Sequence, residues 1–196
     1  MLLPVILVSL FALQSNYRQA YQQYLLAKNQ YQQYQTENTR LTAISSLKTL
    51  LSSRNDLQLA YLKNLRQALA DSTNIANYSQ TTLYLNLEKE LSTLEQFSSD
   101  ISGITSLSQA KDLSQSWQMR LPVSDTLSQS TKNQILIARL QKLQDSLLPY
   151  IDSASPSSTL DLIKSKLQAA QTDKPQVKYD LLKEASSLLV QLYAQK

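Results

Sequence analysis

Only one glycine, Gly103, occurs in the 196 residues, and no Asn-Gly or Asp-Gly dipeptide occurs at all. Two-residue hairpin turns need backbone with positive φ, which those residues supply, so this chain has little means of connecting a meander of strands. Long stretches without glycine or proline favour helices instead. The expected class is all-α.

Hydrophobic residues make up 42% of the chain and charged residues 17%, the latter below the usual quarter. Solubility therefore falls to neutral polar side chains, chiefly Gln, Ser, Asn and Thr. At this length the chain can bury one core, or one core plus an extension.

The first fifty residues organise the rest. Met1 to Leu13 is apolar and runs without a break into a Tyr/Gln-rich stretch. As a helix, about thirteen residues reach ~20 Å, short of the ~30 Å hydrocarbon thickness of a bilayer. The length suits a signal-peptide core, with Ser15 as a small residue at cleavage. Against this, no Lys or Arg precedes the apolar run. A membrane anchor with upstream residues missing and a buried core helix stand as the alternatives. Tyr17 and Tyr21 at an interface, with Arg18 snorkelling outward, would help a short span.

Tyr17, Tyr24 and Tyr31 are seven residues apart, and Ala20, Ala27, Tyr34 and Leu41 fill the positions three further on. This is an a/d stripe over three heptads, with Asn38 as a polar a position. Tyrosine buries its ring and keeps its hydroxyl wet, so the face suits a half-hydrated contact. Tyr17, Tyr21, Tyr24, Tyr31 and Tyr34 are therefore the candidate partner-binding residues. The competing reading, a disordered Tyr/Gln tract, fits the clean periodicity less well.

Leu41, Ile44, Leu47, Leu50 and Leu51 continue the helical pattern. Ser52–Asp56 is either a cap or kink, or the interior of one helix reaching Ala70. Asp71–Asn77 reads as a connector. A helix over 79–97 carries Tyr84, Leu87, Leu91 and Leu94. Gly103 suits a turn or a left-handed residue. Ser106-Leu-Ser-Gln109 is a capping box opening a short helix through Trp117 and Met119, and Leu121-Pro-Val-Ser-Asp125 reads as a linker. A helix from 126 or 127 to Leu148 carries Leu136, Leu140, Leu143 and Leu147. Pro149 and Pro156 bracket a loop. Leu160, Ile163, Leu167 and Ala170 mark a short helix. Pro175 opens a last one with Leu181, Ala185, Leu188 and Leu192. One-sided helices joined by short loops bury their stripes on one another, which gives an antiparallel bundle with a long N-terminal helix. The expected division is 1–15 as signal peptide or anchor, 16–54 as the long Tyr/Gln-rich helix, and 55–196 as the bundle.

The formal net charge of +4 arises mostly in residues 1–50, where Arg18, Lys28, Arg40 and Lys48 face only Glu37. Four scattered cations do not make the dense basic face of a nucleic-acid binder, so no nucleic-acid partner is expected. There is no Cys and no His. Zinc, haem and iron–sulfur sites lose their usual ligands, and Ser-His-Asp chemistry is excluded. No cofactor and no metal are expected. Ser45-Ser-Leu-Lys48 and Ser108-Gln-Ala-Lys111 have the Ser-x-x-Lys spacing of serine acyltransferases but lack the partner motifs. Glu88, Glu90 and Glu95 read as a solvated face, and Asn77-Tyr-Ser79 as an accidental glycosylation sequon. Trp117 reads as a packing residue.

The apolar start, Ser114-Gln-Ser-Trp117 ahead of Gln134-Ile-Leu-Ile-Ala-Arg-Leu140, and the closing amphipathic pair resemble exported α-helical proteins of unknown function from uncultured small-genome bacteria. The likeness covers about residues 45–196 in style and order and implies no activity. The leading functional expectation is a non-enzymatic, extracytoplasmic structural or interaction protein. It would be secreted or membrane-anchored, with membrane contact through residues 1–13, and would meet a protein partner or itself through the N-terminal helix. The alternative is a ligand-sensing bundle ectodomain or an accessory subunit of an envelope or pilus-type assembly.

Overall fold

The computed structural model describes residues 3–147, 157–172 and 175–194. Among these the chain forms six α-helices and no strand: α1 (Leu3–Tyr34), α2 (Glu37–Ala70), α3 (Asn77–Ser102), α4 (Leu107–Leu147), α5 (Ser157–Thr172) and α6 (Pro175–Ala194). The protein is an all-α helical bundle. Two compact units are present, one from Met1–Arg66 with Asn86–Asp125 and the other from Gln67–Leu85 with Thr126–Lys196. Helices α2, α3 and α4 each contribute a segment to both units.

In the first unit, α2 and α3 run antiparallel, as their register shows. Lys48 bonds to the Ser102 carbonyl, Asn55 to Ser98, Lys63 to Glu95 and Arg66 to Glu88, one helix ascending as the other descends. Both helices carry buried apolar side chains at helical spacing: Ile44, Leu47, Leu51 and Leu62 on α2, and Leu87, Leu91, Leu94 and Ile101 on α3. Each such side chain taken from water contributes about 1.5–3 kcal/mol. Lys48 Nζ lies 2.9 Å from the Ser102 carbonyl oxygen and 3.2 Å from that of Ile104, donating to the last carbonyl of α3 and to one in the turn that follows.

The second unit holds a cluster of Ile137, Leu140, Ile163, Leu167, Ala170, Leu182, Ala185 and Leu189, edged by Leu181 and Leu188. The connector between α2 and α3 is tied down by Gln80, whose amide nitrogen donates to the carbonyls of Leu69 at 2.8 Å and Ser72 at 3.1 Å.

Several elements depart from the sequence expectation. The helix expected over 16–54 ends at Tyr34, and a boundary at 54/55 falls inside α2. Gln35 takes a left-handed φ of 47°. Thr36 then caps α2, its Oγ1 accepting from the Thr39 N–H at 3.2 Å while Thr39 Oγ1 accepts from the Thr36 N–H at 3.1 Å. This is a capping box built with threonine at its third position. Beside it, Arg40 grips Glu37 through two hydrogen bonds of 2.6 and 2.8 Å and holds that carboxyl below its ordinary range. Ser52–Asp56 follows the second of its two readings, as the interior of one helix that reaches Ala70. Gly103 lies in a turn but is not left-handed.

The linker expected at Leu121–Asp125 is instead the interior of α4, with Pro122 inside the helix. Proline removes one helical donor, a cost of about 3 kcal/mol. On either side of it, burial of Trp117, Ser124 and Ser128 anchors the helix. Beyond Pro122 the buried positions are Ser124, Ser128, Thr131, Ile135, Ile137, Ala138, Leu140 and Gln144, whereas Leu136 and Leu143 are exposed. Of the leucines expected on this face, Leu140 is buried, while Leu136 and Leu143 are not, and small or polar side chains take the inner positions nearest Pro122. On α6 Ala185 is buried as expected, Leu182 and Leu189 are fully buried beside it, and the expected Leu181 and Leu188 lie at the cluster's edge. Pro149 and Pro156, and the side chains of Leu147, Leu160 and Leu192, lie outside what is described.

Candidate functional site

The tyrosine stripe is divided by the fold. Ala20 and Ala27 are each 4% exposed, and Tyr17, Tyr24 and Tyr31 are half-buried, so the a/d positions of α1 from 17 to 31 pack within the first unit, while the last, Tyr34, does not. Tyr21 and Tyr34 are exposed, at 43% and 59%. The stripe is thus first an intramolecular seam. Its outer edge is what remains available for contact.

Three of the five candidate tyrosines come together. Tyr17, Tyr21 and Tyr24 form one wall of an open groove of about 630 Å³. The groove's floor is Leu47, Leu50 and Leu51 of α2, and Leu107 and Lys111 open its α4 side. Each helix contributes positions three or four residues apart, the spacing that places side chains on one face. Tyr31 and Tyr34 do not line it.

Sequence reading missed the two cations of this groove, Arg54 and Lys111. Arg54 follows Leu47, Leu50 and Leu51 at the next turn, so the leucine face of α2 carried the signal. The Arg54 guanidinium carbon lies 5.5 Å from the Trp117 ring centroid. Trp117 is only 4% exposed and packs on Phe97 at 4.9 Å with the rings tilted by 54°. The indole is a packing residue beneath the groove, as its sequence context suggested.

The other chemical candidates have structural work. Lys48 bonds to the end of α3 and is not poised over Ser45. Glu88 and Glu95 pair with Arg66 and Lys63. Glu90 departs from the expected solvated face: its side chain is 6% exposed and its Oε2 accepts from Arg120 Nη2 at 2.7 Å. It sits three residues after Leu87 and four before Leu94, which places it on the inner face. The box at Ser106 and Gln109 forms as read, with the Gln109 N–H 3.2 Å from Ser106 Oγ. Among the described residues no group of three or more acidic side chains is arranged to hold a metal ion, and no helix is long and apolar enough to cross a membrane.

No protein-family model, no curated protein and no solved structure matches the chain.

Proposed function

We propose that this is a non-enzymatic helical interaction protein, exported or tethered at a membrane, that engages a protein partner through its N-terminal helix. The observation that carries the reading is the groove edge. Tyr21 is 43% exposed directly beside a leucine floor of which Leu50 and Leu51 are 8% and 5% exposed. Amphipathic aromatic side chains and arginine are enriched where proteins meet, because they satisfy a dry and a wet environment together. The lack of His and Cys in the sequence supports a binding role over catalysis. Export draws its support from the apolar residues 1–13 and from the resemblance to exported helical proteins.

A ligand-sensing bundle is the second reading, favoured by a groove volume of about 630 Å³, within the range of small-molecule sites. Native electrophoresis of the tagged chain from its own cells tests the first. The wild type should run in a species larger than the purified chain, and Tyr21→Arg should run as the purified chain. A wild type already running as the purified chain contradicts it. Mass spectrometry of the N-terminus after fractionation tests export, and recovery from the cytosol with Met1 intact contradicts that part.

A further inference from the structure

We infer that the groove takes an acidic peptide segment of the partner, with carboxylates on Arg54 and Lys111 and an aliphatic or aromatic side chain on the leucine floor. This rests on the interaction reading above and names the chemistry of its occupant.

The lining of the groove contains two cations and no Asp or Glu. The ion pairs among the described residues engage Arg40, Lys63, Arg66, Arg120 and Lys166, and neither Arg54 nor Lys111 has a carboxylate partner there. Asp112, next to Lys111 in sequence, belongs to a different cleft with Ser99 and Asp100. The positive charge of the groove is therefore uncompensated from within.

The two cations differ in what they supply. Arg54 rests on the Trp117 ring, which limits the freedom its planar fork would lose on gripping a carboxylate. Lys111 is exposed and acts as a mobile point charge. It lies one turn into α4, where the positive end of the helix dipole adds to the same field. Between the cations and the tyrosine wall, the leucine floor offers apolar area that a bare anion would not use. An open groove with charged edges and an apolar floor fits a peptide side chain flanked by acids. An enclosed cavity would fit a free small molecule better.

The test is an NMR titration of the ¹⁵N-labelled full chain with three acetylated, amidated hexapeptides and with decanoate. The first peptide has a central Leu-Phe pair flanked by glutamates. The second carries glutamines instead, and the third replaces Leu-Phe by two serines. The acidic Leu-Phe peptide should shift the resonances of Tyr21, Arg54, Lys111 and the Trp117 indole. Both control peptides should bind at least about tenfold more weakly, and Lys111→Gln should weaken the first by about fivefold. Because Lys111 is exposed, the variant keeps its fold, which the unshifted spectrum of its free form verifies.

Equal binding of the glutamine peptide, tighter binding of decanoate than of any peptide, or no shift at millimolar peptide overturns the inference. If the peptides fail while the native complex still depends on Tyr21, the acidic occupant is wrong and the interaction reading stands. If Tyr21→Arg leaves the native complex unchanged, both fall.

Discussion

The Arg54 guanidinium carbon lies 5.5 Å from the centroid of the Trp117 ring, and that ring packs on Phe97 at 4.9 Å. This contact links the groove to the core of the first unit, and its two members have unequal weight. Trp117→Ala removes a buried ring and should cost about 3–5 kcal/mol. Arg54→Met keeps the aliphatic stem and loses only a partly exposed cation–π contact, about 0.5–1 kcal/mol. Chemical denaturation of the two variants checks the ordering, and equal losses contradict it.

Asn55 is fully buried, and its Nδ2 donates to the Leu94 carbonyl at 2.8 Å and to Ser98 Oγ at 2.6 Å. Its Oδ1 has no hydrogen-bond partner among the described residues. Asn55→Ala should therefore destabilise by about 2 kcal/mol, from lost hydrogen bonds plus a small cavity. Asn55→Leu should recover most of that loss in equilibrium unfolding, because leucine fills the space that alanine leaves empty and, like alanine, carries no orphaned oxygen. A leucine variant weaker than the alanine one contradicts this account of the site.

Glu90 and Arg120 form the most one-sided ion pair of the first unit, with side-chain exposures of 6% and 40%. Removing the arginine strands a buried carboxylate, so Arg120→Met should cost roughly 3 kcal/mol. Adding Glu90→Gln to that variant should restore at least half of it. A double-mutant cycle by denaturation measures the coupling, and simple additivity would show that the pair is not coupled.

Gln35 holds a φ of 47° between α1 and α2. A side chain in that conformation costs about 1–2 kcal/mol, partly offset in glycine by the larger entropy of its unfolded chain. Gln35→Gly should raise stability by about 0.5–1 kcal/mol in a thermal or denaturant melt. A loss of stability would mean that the side chain contributes more than the backbone strain.

These residues show how far the sequence could be read. Helical class followed from the missing turn formers, and the stripes of α2, α3 and α5 were visible because leucine or isoleucine recurs there at helical spacing. Where small or polar residues face inward, the pattern misled. Ser124, Ser128 and Thr131 are buried on α4, and no hydropathy rule marks them. Pro122 imitated a linker because its local cost is plain in the sequence, whereas the tertiary burial that opposes it is not. The α1–α2 turn was missed because it uses Gln35 and a Thr36–Thr39 box in place of glycine and Glu. Of the groove lining, Tyr17 and Tyr24 stand out in the heptad spacing, whereas Tyr31, on the same spacing, does not line it. Arg54 is marked only as the next turn of the leucine face of α2, and its meeting with Lys111 requires α2 and α4 to share a groove, which no local pattern encodes.

The central claim is that a partner docks on the outer edge of α1, and in-cell photo-crosslinking tests it most directly. A benzophenone amino acid is placed at Tyr21, on the groove, and separately at Tyr78, which is 85% exposed outside it. Irradiation of the native cells should give one discrete adduct from position 21, none from position 78, and loss of the adduct when Lys111→Glu is added. No adduct at position 21, or the same adducts from both positions, would contradict the account.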